Sequence, residues 1–299
     1  MQSGIINVYK EAGFTSFDVV AKLRGILHIK KIGHTGTLDP DAVGVLPVCI
    51  GKATKVCELL TNKDKVYEAT MLLGIATDTE DISGNVLEQH DVNVTEENVM
   101  NVLNSFIGES MQVPPMYSAL KVNGKKLYEY ARAGVEIERA ARKICIYSID
   151  NVKIEFPRVT FTVSCSKGTY IRSLCRDIGE KLSCKACMES LKRTKVSVFD
   201  IKDSITLAEI EELVNNGEIE KYISSIDSLF MEYPEVCVKE EFRIIPENGG
   251  KLYAEHLPEI DFKEYSLNQN VRVYLYDGRF VGIYEYKGDC FAPKKMFLE

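Results

Sequence analysis

The sequence predicts an α+β protein of two domains: a large mixed sheet with flanking helices, then a small all-β domain. Three observations predict it. Strand-like and helix-like periods alternate irregularly through residues 1–233. After about Tyr233 the helical patterns give way to short β-prone runs and turns, so a second domain is expected over 234–299. The 299 residues, 45% hydrophobic and 27% charged, suffice for a sizeable core and two domains.

In chain order, Ile5–Tyr9 is a short β-prone run. Thr15 or Ser16 can cap a helix with apolar positions Phe17, Val19, Val20, Leu23, Ile26 and Leu27. A Gly/Pro-rich segment, Gly33–Pro47, follows. Val66–Leu73 reads as a strand, and Thr77-Asp78-Thr79-Glu80-Asp81 with Gly84 as a loop. A helix from Thr95 to Ile107, with Val99, Val102, Leu103 and Phe106 on one face, is stopped by Gly108. Residues 109–143 form a separate unit. Gln112–Ala119 is too proline-rich for a central strand, and Lys121–Lys143 is basic and carries Tyr128 and Tyr130. Ile144–Phe156 and Val159–Ser166 are β-prone. Lys167–Arg172 turns into a helix reaching about Leu182. Thr206 and Glu209 make a capping box for a helix that Gly217 ends. Val271–Tyr276 and Arg279–Tyr286, joined through Asp277-Gly278, read as a hairpin.

No long apolar run suggests a membrane span. The N-terminus, Met1-Gln2-Ser3-Gly4-Ile5-Ile6, lacks the charged start and apolar core of a signal peptide, so a cytoplasmic protein is expected. Nine scattered cysteines point to free thiols in a reducing compartment. Cys184-x-x-Cys187 has no second ligand pair at zinc spacing, and no metal is expected. The net charge of −7 conceals an asymmetry: residues 200–299 carry 11 basic and 21 acidic side chains, residues 1–199 carry 26 and 23. Within the first part, residues 121–143 hold seven basic and three acidic side chains, and residues 165–195 eight and three. Lys22, Arg24, Lys30 and Lys31 add a third patch. Such patches can neutralise phosphates on an acidic molecule; solvated helix faces would look the same.

The segment GHTGTLDPDAVGVLP, residues 33–47, sets one aspartate, Asp39, before a proline and between glycine-containing turns. Gly33, Gly36 and Gly44 permit backbone angles closed to other residues, and Pro40 biases Asp39 away from helix, so a stiff loop presenting one carboxylate is expected. Local chemistry leaves three readings open. Asp39 can be a turn former. It can be an aspartyl-phosphate nucleophile within Asp39-Pro40-Asp41, although the lead-in is a poor strand. It can be a lone nucleophilic or basic carboxylate acting on an electrophilic carbon.

This segment resembles the signature loop of the TruB family of tRNA pseudouridine synthases, G-H-x-G-x-L-D-P-x-A-x-G-x-L-P, at every fixed position. The resemblance runs from about Ile5 to Thr206. It implies a pseudouridine synthase fold with a PUA-like tail domain, and Asp39 as the catalytic residue. Tyr67 in K-V-Y-E-A would stack on the target uracil, and Tyr170 in S-K-G-T-Y-I-R would line the pocket. Arg172, two residues on, would pair with the Asp39 carboxylate and keep it ionised; in an extended lead-in Tyr170 and Arg172 would share a side. Leu191 in S-L-K-R would form the pocket wall, and His34 would hold the flipped nucleotide or the loop. Taken alone, Tyr67 reads as an ordinary strand tyrosine and Leu191 as a plain core leucine.

The insertion at about 109–143 matches the family's RNA-gripping arm after P-P-x-Y-S-A-x-K. Lys10, Lys121, Lys125, Lys126, Arg132, Arg139 and Arg142 would be the RNA contacts. One departure is Lys10-Glu11-Ala12-Gly13 where the family has K-P-x-G; losing that proline loosens the turn by under about 1 kcal/mol. The implied activity is isomerisation of uridine 55 in the T loop of tRNA to pseudouridine, by a monomer needing neither cofactor nor obligatory protein partner. The rivals are a non-catalytic tRNA-binding or folding protein on the same surface, and an Mg²⁺-dependent aspartyl phosphatase.

Overall fold

The structure, a computed structural model, describes residues 3–298; Met1 and Gln2, part of the segment read for a leader, lie outside the described residues. Ten strands build the main sheet: β1 (Gly4–Lys10), β2 (Ile32–His34), β3 (Val43–Ile50), β4 (Lys65–Leu73), β5 (Gly108–Gln112), β6 (Arg142–Glu155), β7 (Arg158–Cys165), β8 (Ala186–Val196), β9 (Phe199–Asp200) and β10 (Ile223–Ser224). Their order is β10-β1-β3-β8-β4-β7-β6-β5, with β2 beside β3 and β9 beside β8. The sheet is mixed, as predicted. Its one parallel junction joins β3 to β8, with Arg193 opposite Gly44. The next pairing is antiparallel and sets Arg193 opposite Tyr67 on β4. Those two registers bring the Asp39 loop and the Tyr67 strand to either side of β8.

Among the described residues, five helices have six residues or more: α1 (Ser16–Leu27), α2 (Glu96–Asn104), α3 (Leu127–Arg132), α4 (Ile171–Lys181) and α5 (Leu207–Asn215). Thr15, Thr95 and Thr206 cap α1, α2 and α5 through reciprocal side-chain and backbone bonds. Helix α1 buries Val19, Val20, Leu23 and Leu27 in a core shared with α5. Phe17, expected on that stripe, is 64% exposed, because a 3.6-residue period aligns position 16, not 17, with 19, 20, 23 and 27. Helix α2 stops at Asn104, three residues early, and Gly108 opens the edge strand β5 instead of ending the helix. A second core lies under α2 and α4 and takes in Leu38, Tyr67, Ala69 and Leu191.

The basic stretch 121–143 is not one amphipathic helix. It is a hairpin of two-residue strands, Lys121–Val122 and Lys125–Lys126, then the short α3, then irregular chain as far as Arg142. A separate four-stranded sheet follows residue 234: β11 (Glu235–Cys237), β12 (Asn270–Tyr274), β13 (Phe280–Tyr286) and β14 (Phe291–Met296), in that order. It has its own core around Val271, Val273, Tyr284 and Phe291. Ile283 and Phe297 also pack with Ile5, Val45 and Phe230, so the small sheet rests on the large one. Among the described residues no helix is long and apolar enough to cross a membrane.

Candidate active site

The 33–47 loop is fastened at almost every residue. The Thr35 N–H and hydroxyl both donate to the Pro47 carbonyl, at 3.2 and 3.1 Å. The Leu38 N–H donates to Ser16 Oγ at the start of α1 (2.9 Å). The Ala42 N–H closes a turn on the Asp39 carbonyl (3.1 Å). The Pro40 carbonyl accepts from the Gly13 N–H (3.0 Å) and from Lys10 Nζ (2.8 Å). Glycine is required at two places. Gly36 has φ +131° and Gly44 φ +105°, and a Cβ on Gly44 would stand 2.3 Å from the Arg193 carbonyl oxygen. Gly33 differs from the expectation: it lies in β2 with ordinary angles, and its smallness clears Cys57 Sγ.

Asp39 emerges from this loop against Arg172. Arg172 Nη2 donates to Oδ1 (3.1 Å) and Nε lies 3.0 Å from Oδ2, a two-pronged pair. Arg172 is 5% exposed and Asp39 keeps 37% of its side-chain surface. The guanidinium also reaches the Thr79 carbonyl (3.1 Å), the Tyr117 carbonyl (2.8 Å) and Asp81 Oδ2 (3.5 Å). Burial pushes the Asp39 carboxyl above the ordinary carboxylate value, Arg172 pulls it back, and Asp81 pushes it up again, leaving a net rise. The arginine therefore offsets part of the desolvation without overriding it.

Tyr67 is buried at 9% exposure on β4. Leu191, directly opposite Ala69, packs against the core that includes Leu38 and Tyr67. Tyr170 is half-buried and sits just ahead of α4 in extended conformation. Helix α4 begins at Ile171, so Arg172 belongs to its first turn and not to an extended lead-in shared with Tyr170. His34 is half-buried; its Nδ1 accepts the Gly36 N–H (3.3 Å), which helps shape the turn, and burial lowers its pKa. The structure thus brings Tyr67 and Tyr170 within electrostatic reach of the paired Asp39 and Arg172, with Leu191 against the core that holds Tyr67.

Three positioning groups escaped the sequence reading. Asp81 shares Arg172 with Asp39, and it orders its own loop by accepting from Thr79 Oγ1 (2.8 Å) and Ser83 Oγ (2.6 Å). Gln112 grips both sides of the Tyr170 backbone: its Oε1 accepts the N–H (2.9 Å) and its Nε2 donates to the carbonyl (3.1 Å). Arg193, 1% exposed, donates to the carbonyls of Val45 (2.7 Å) and Gly36 (3.3 Å). Only proximity across the folded sheet reveals these; the T-D-T-E-D segment was the one local signal.

Lys10 overturns an expectation. Grouped above with the RNA contacts, it is 0% exposed and spends its ammonium on the carbonyls of Glu11 and Pro40. Burial pulls its pKa down to about 8. A side chain so enclosed cannot reach a phosphate; it tethers the residue after Asp39. The arm residues divide in two. Lys121, Lys125, Arg132 and Arg142 are exposed. Lys126 and Arg132 flank Tyr128, each 5.3 Å from the ring centre. Arg139 instead turns inward, donating to the Pro114 carbonyl (3.1 Å) with 18% of its side chain exposed. Cys184 and Cys187 are buried thiols whose pKa values burial raises.

Known proteins match this architecture closely. Residues 24–171 match the family model described as TruB family pseudouridylate synthase (N terminal domain), and residues 172–231 the tRNA pseudouridylate synthase B C-terminal domain. The chain is 54% identical to tRNA pseudouridine synthase B of Lachnoclostridium phytofermentans, over 99% of this chain and 100% of that one. The chain belongs to the TruB family of tRNA pseudouridine synthases. It is an enzyme, an isomerase that acts on tRNA. The corresponding protein of Clostridium kluyveri is 48% identical over 99% of both chains. Among solved structures, a chain of a Cbf5–Nop10–Gar1 complex superposes with a TM-score of 0.72 at 29% identity, covering 99% of this chain and 85% of that chain. A chain of an H/ACA RNP bound to a substrate RNA containing 2′-deoxyuridine gives 0.71 at 27%, with the same coverage. The TruB family fold is thereby established over the main sheet, and both family models end by residue 231.

Proposed function

We propose that this synthase acts on uridine 55 in the T loop of tRNA, with Asp39 as the reacting carboxylate. The observation that carries the reading is the Asp39–Arg172 pair, set by a stiff loop beside Tyr67, Tyr170 and Leu191. The reaction breaks the bond from ribose to uracil, turns the base and rejoins it through carbon 5. A target stacked in a loop must first be turned out, and an aromatic wall can receive it. Tyr67 and Tyr170 supply such a wall, Leu191 closes its apolar side, and the packed loop limits water around the detached base. The carboxylate, held by two nitrogens of one guanidinium, faces the sugar. It either adds to the sugar or withdraws a ribose proton as the base departs.

The exposed cations of the arm grip the T stem, with Tyr128 between Lys126 and Arg132 as a stacking face. Residues 234–299 form a PUA-like module in this reading. The enzyme works as a cytoplasmic monomer without cofactor, and its turnover is expected to be indifferent to EDTA. The test is pseudouridine mapping of an unmodified tRNA transcript incubated with the pure protein. A single new pseudouridine at position 55 supports the assignment; modification elsewhere, with 55 untouched, rejects it.

A further inference from the structure

Glu80 is a buried carboxylate, 9% exposed, to which no step of the proposed reaction gives a role. It lies between Thr79 and Asp81, the two residues of its turn that Arg172 reaches. Its backbone is left-handed, with φ +65°, a conformation that a residue with a Cβ keeps only when its surroundings impose it. Helix α4 supplies those surroundings. Oε2 of Glu80 accepts from the fully buried Ser173 hydroxyl (2.6 Å), and Oε1 pairs with Arg176 Nη1. On the sheet side, the Met188 N–H of β8 donates to the Glu80 carbonyl (3.0 Å). Arg172 and Arg176 are four residues apart and so share a face of α4. Each takes its own carboxylates: Arg172 faces Asp39 and Asp81, and Arg176 holds Glu80 and Asp177.

We propose that Glu80 is a positioning residue that acts through Arg172: its clamped side chain holds the 79–81 turn in the shape that aims the Thr79 carbonyl and the Asp81 carboxylate at the guanidinium. The inference rests on the reading of Asp39 and Arg172 as the reacting pair. The nitrogens of Arg172 divide their work. Nε and Nη2 serve Asp39, and Nη2 also holds the Tyr117 carbonyl. Both contacts of Nη1, to the Thr79 carbonyl (3.1 Å) and Asp81 Oδ2 (3.5 Å), come from the Glu80 turn. A guanidinium is a rigid planar fork, so fixing Nη1 fixes the plane in which the other two nitrogens meet Asp39. Neutralising Arg176 does not require Glu80, because Asp177 already accepts from its Nε (2.9 Å) and Nη2 (2.7 Å). Glu80 thus sets the aim of the arginine without meeting the substrate.

The test is a double-mutant cycle of Glu80→Ala and Arg172→Lys, read by single-turnover pseudouridine formation on a tRNA transcript, well below the melting temperature of every variant. Glu80→Ala alone is expected to slow the chemical step about 30-fold with tRNA affinity changed less than about threefold. In the Arg172→Lys background the same change should slow it no more than about threefold, because the fork it aims is gone. Glu80→Gln can still accept from Arg176 and share a hydrogen bond with Ser173, so it should recover most of the loss. Equal losses in the two backgrounds would overturn the proposal, as would a Gln variant as slow as the Ala variant, or weaker binding with the chemical step unchanged. Should Glu80→Ala fail to fold, Arg176→Met, which releases the same clamp from the helix side, enters the cycle with the same criterion. Asp39→Asn separates the two claims: if it keeps turnover the reading of the reacting pair fails, and if it is inactive while the cycle is additive only the role of Glu80 fails.

Discussion

The Asp39 loop and the basic arm are both irregular, glycine-bearing segments, yet they are built in opposite ways. Residues 33–47 are tied down by Ser16, Lys10, Gly13, Arg193 and their own backbone. Residues 121–141 hold two tiny strands and one short helix, with Leu127 their one buried side chain. The proposed roles would explain the contrast. A carboxylate that must meet a carbon within a fraction of an ångström gains from preorganisation, because ordering it during the reaction would add to the barrier. A surface that must follow an RNA backbone gains from charges on a yielding frame, where long-range attraction tolerates imprecise contact. Damage to the loop should therefore appear in the chemical step, and damage to the arm in binding.

The sharpest break in that comparison is Asp39→Asn. Turnover should fall by at least about 10⁴-fold, while tRNA affinity stays near wild type. Retained turnover would end the assignment of Asp39, whatever the binding showed. Arg172→Lys comes next. It keeps the charge but loses the fork that holds both Asp39 oxygens and the Tyr117 carbonyl, so kcat should drop about 10²- to 10³-fold with a small change in KM. A purely electrostatic role would leave the lysine variant close to wild type.

The raised Asp39 pKa adds a pH signature. If the reaction needs the anion, turnover should fall on acidification at a pH above the ordinary carboxylate range, as protons fill the raised site. The stability effect has the opposite sense. The folded protein binds this proton more tightly than the unfolded chain, so Asp39 favours folding below the unfolded pKa, and that contribution is lost as pH rises through the folded one. Asp39→Asn should then melt higher than wild type at pH 7, with the gap closing as pH falls into the carboxylate range. A variant that melts lower at pH 7 would show that Arg172 outweighs burial.

How much of this was legible before folding depends on the kind of residue. The Gly/Pro turn chemistry of 33–47 announced a stiff loop, because such residues act locally. Tyr67 and Leu191 were visible as candidates only through the family motifs, since a strand tyrosine and a core leucine look the same in isolation. The alternating periods gave β1, β4, β6, β7 and helices α1, α2, α4 and α5, but neither β3 nor β8, and so not the parallel junction on which the site is built. Arg193 and Gln112 were invisible for that reason: Arg193 meets Val45 across 148 residues of chain and Gln112 meets Tyr170 across 58. Lys10 was misread because sequence shows a cation without showing its burial. Arg172 was placed correctly against Asp39, though from a helix and not from the expected extended segment.

Two smaller perturbations decide whether loop and arm are separable. Lys10→Met removes the ammonium from the Pro40 carbonyl, so kcat should fall about tenfold while the salt dependence of tRNA binding keeps its slope, because no phosphate contact is lost. A shallower slope would return Lys10 to the RNA surface. Charge reversal at Lys125 and Lys126 should do the converse. Lys125 is exposed, whereas Lys126 is partly engaged with the Tyr128 hydroxyl at 3.2 Å. The plot of log affinity against log salt should therefore flatten by about one unit for Lys125 and by less for Lys126. Single-turnover rates at saturating tRNA should hold within about threefold, since an exposed charge outside the pocket contributes equally to the ground and transition states. An unchanged slope would remove the arm from the binding surface, and a collapsed single-turnover rate would mean that the arm helps to assemble the pocket, for which the bond from Arg172 to the Tyr117 carbonyl, between arm base and carboxylate partner, is the available route.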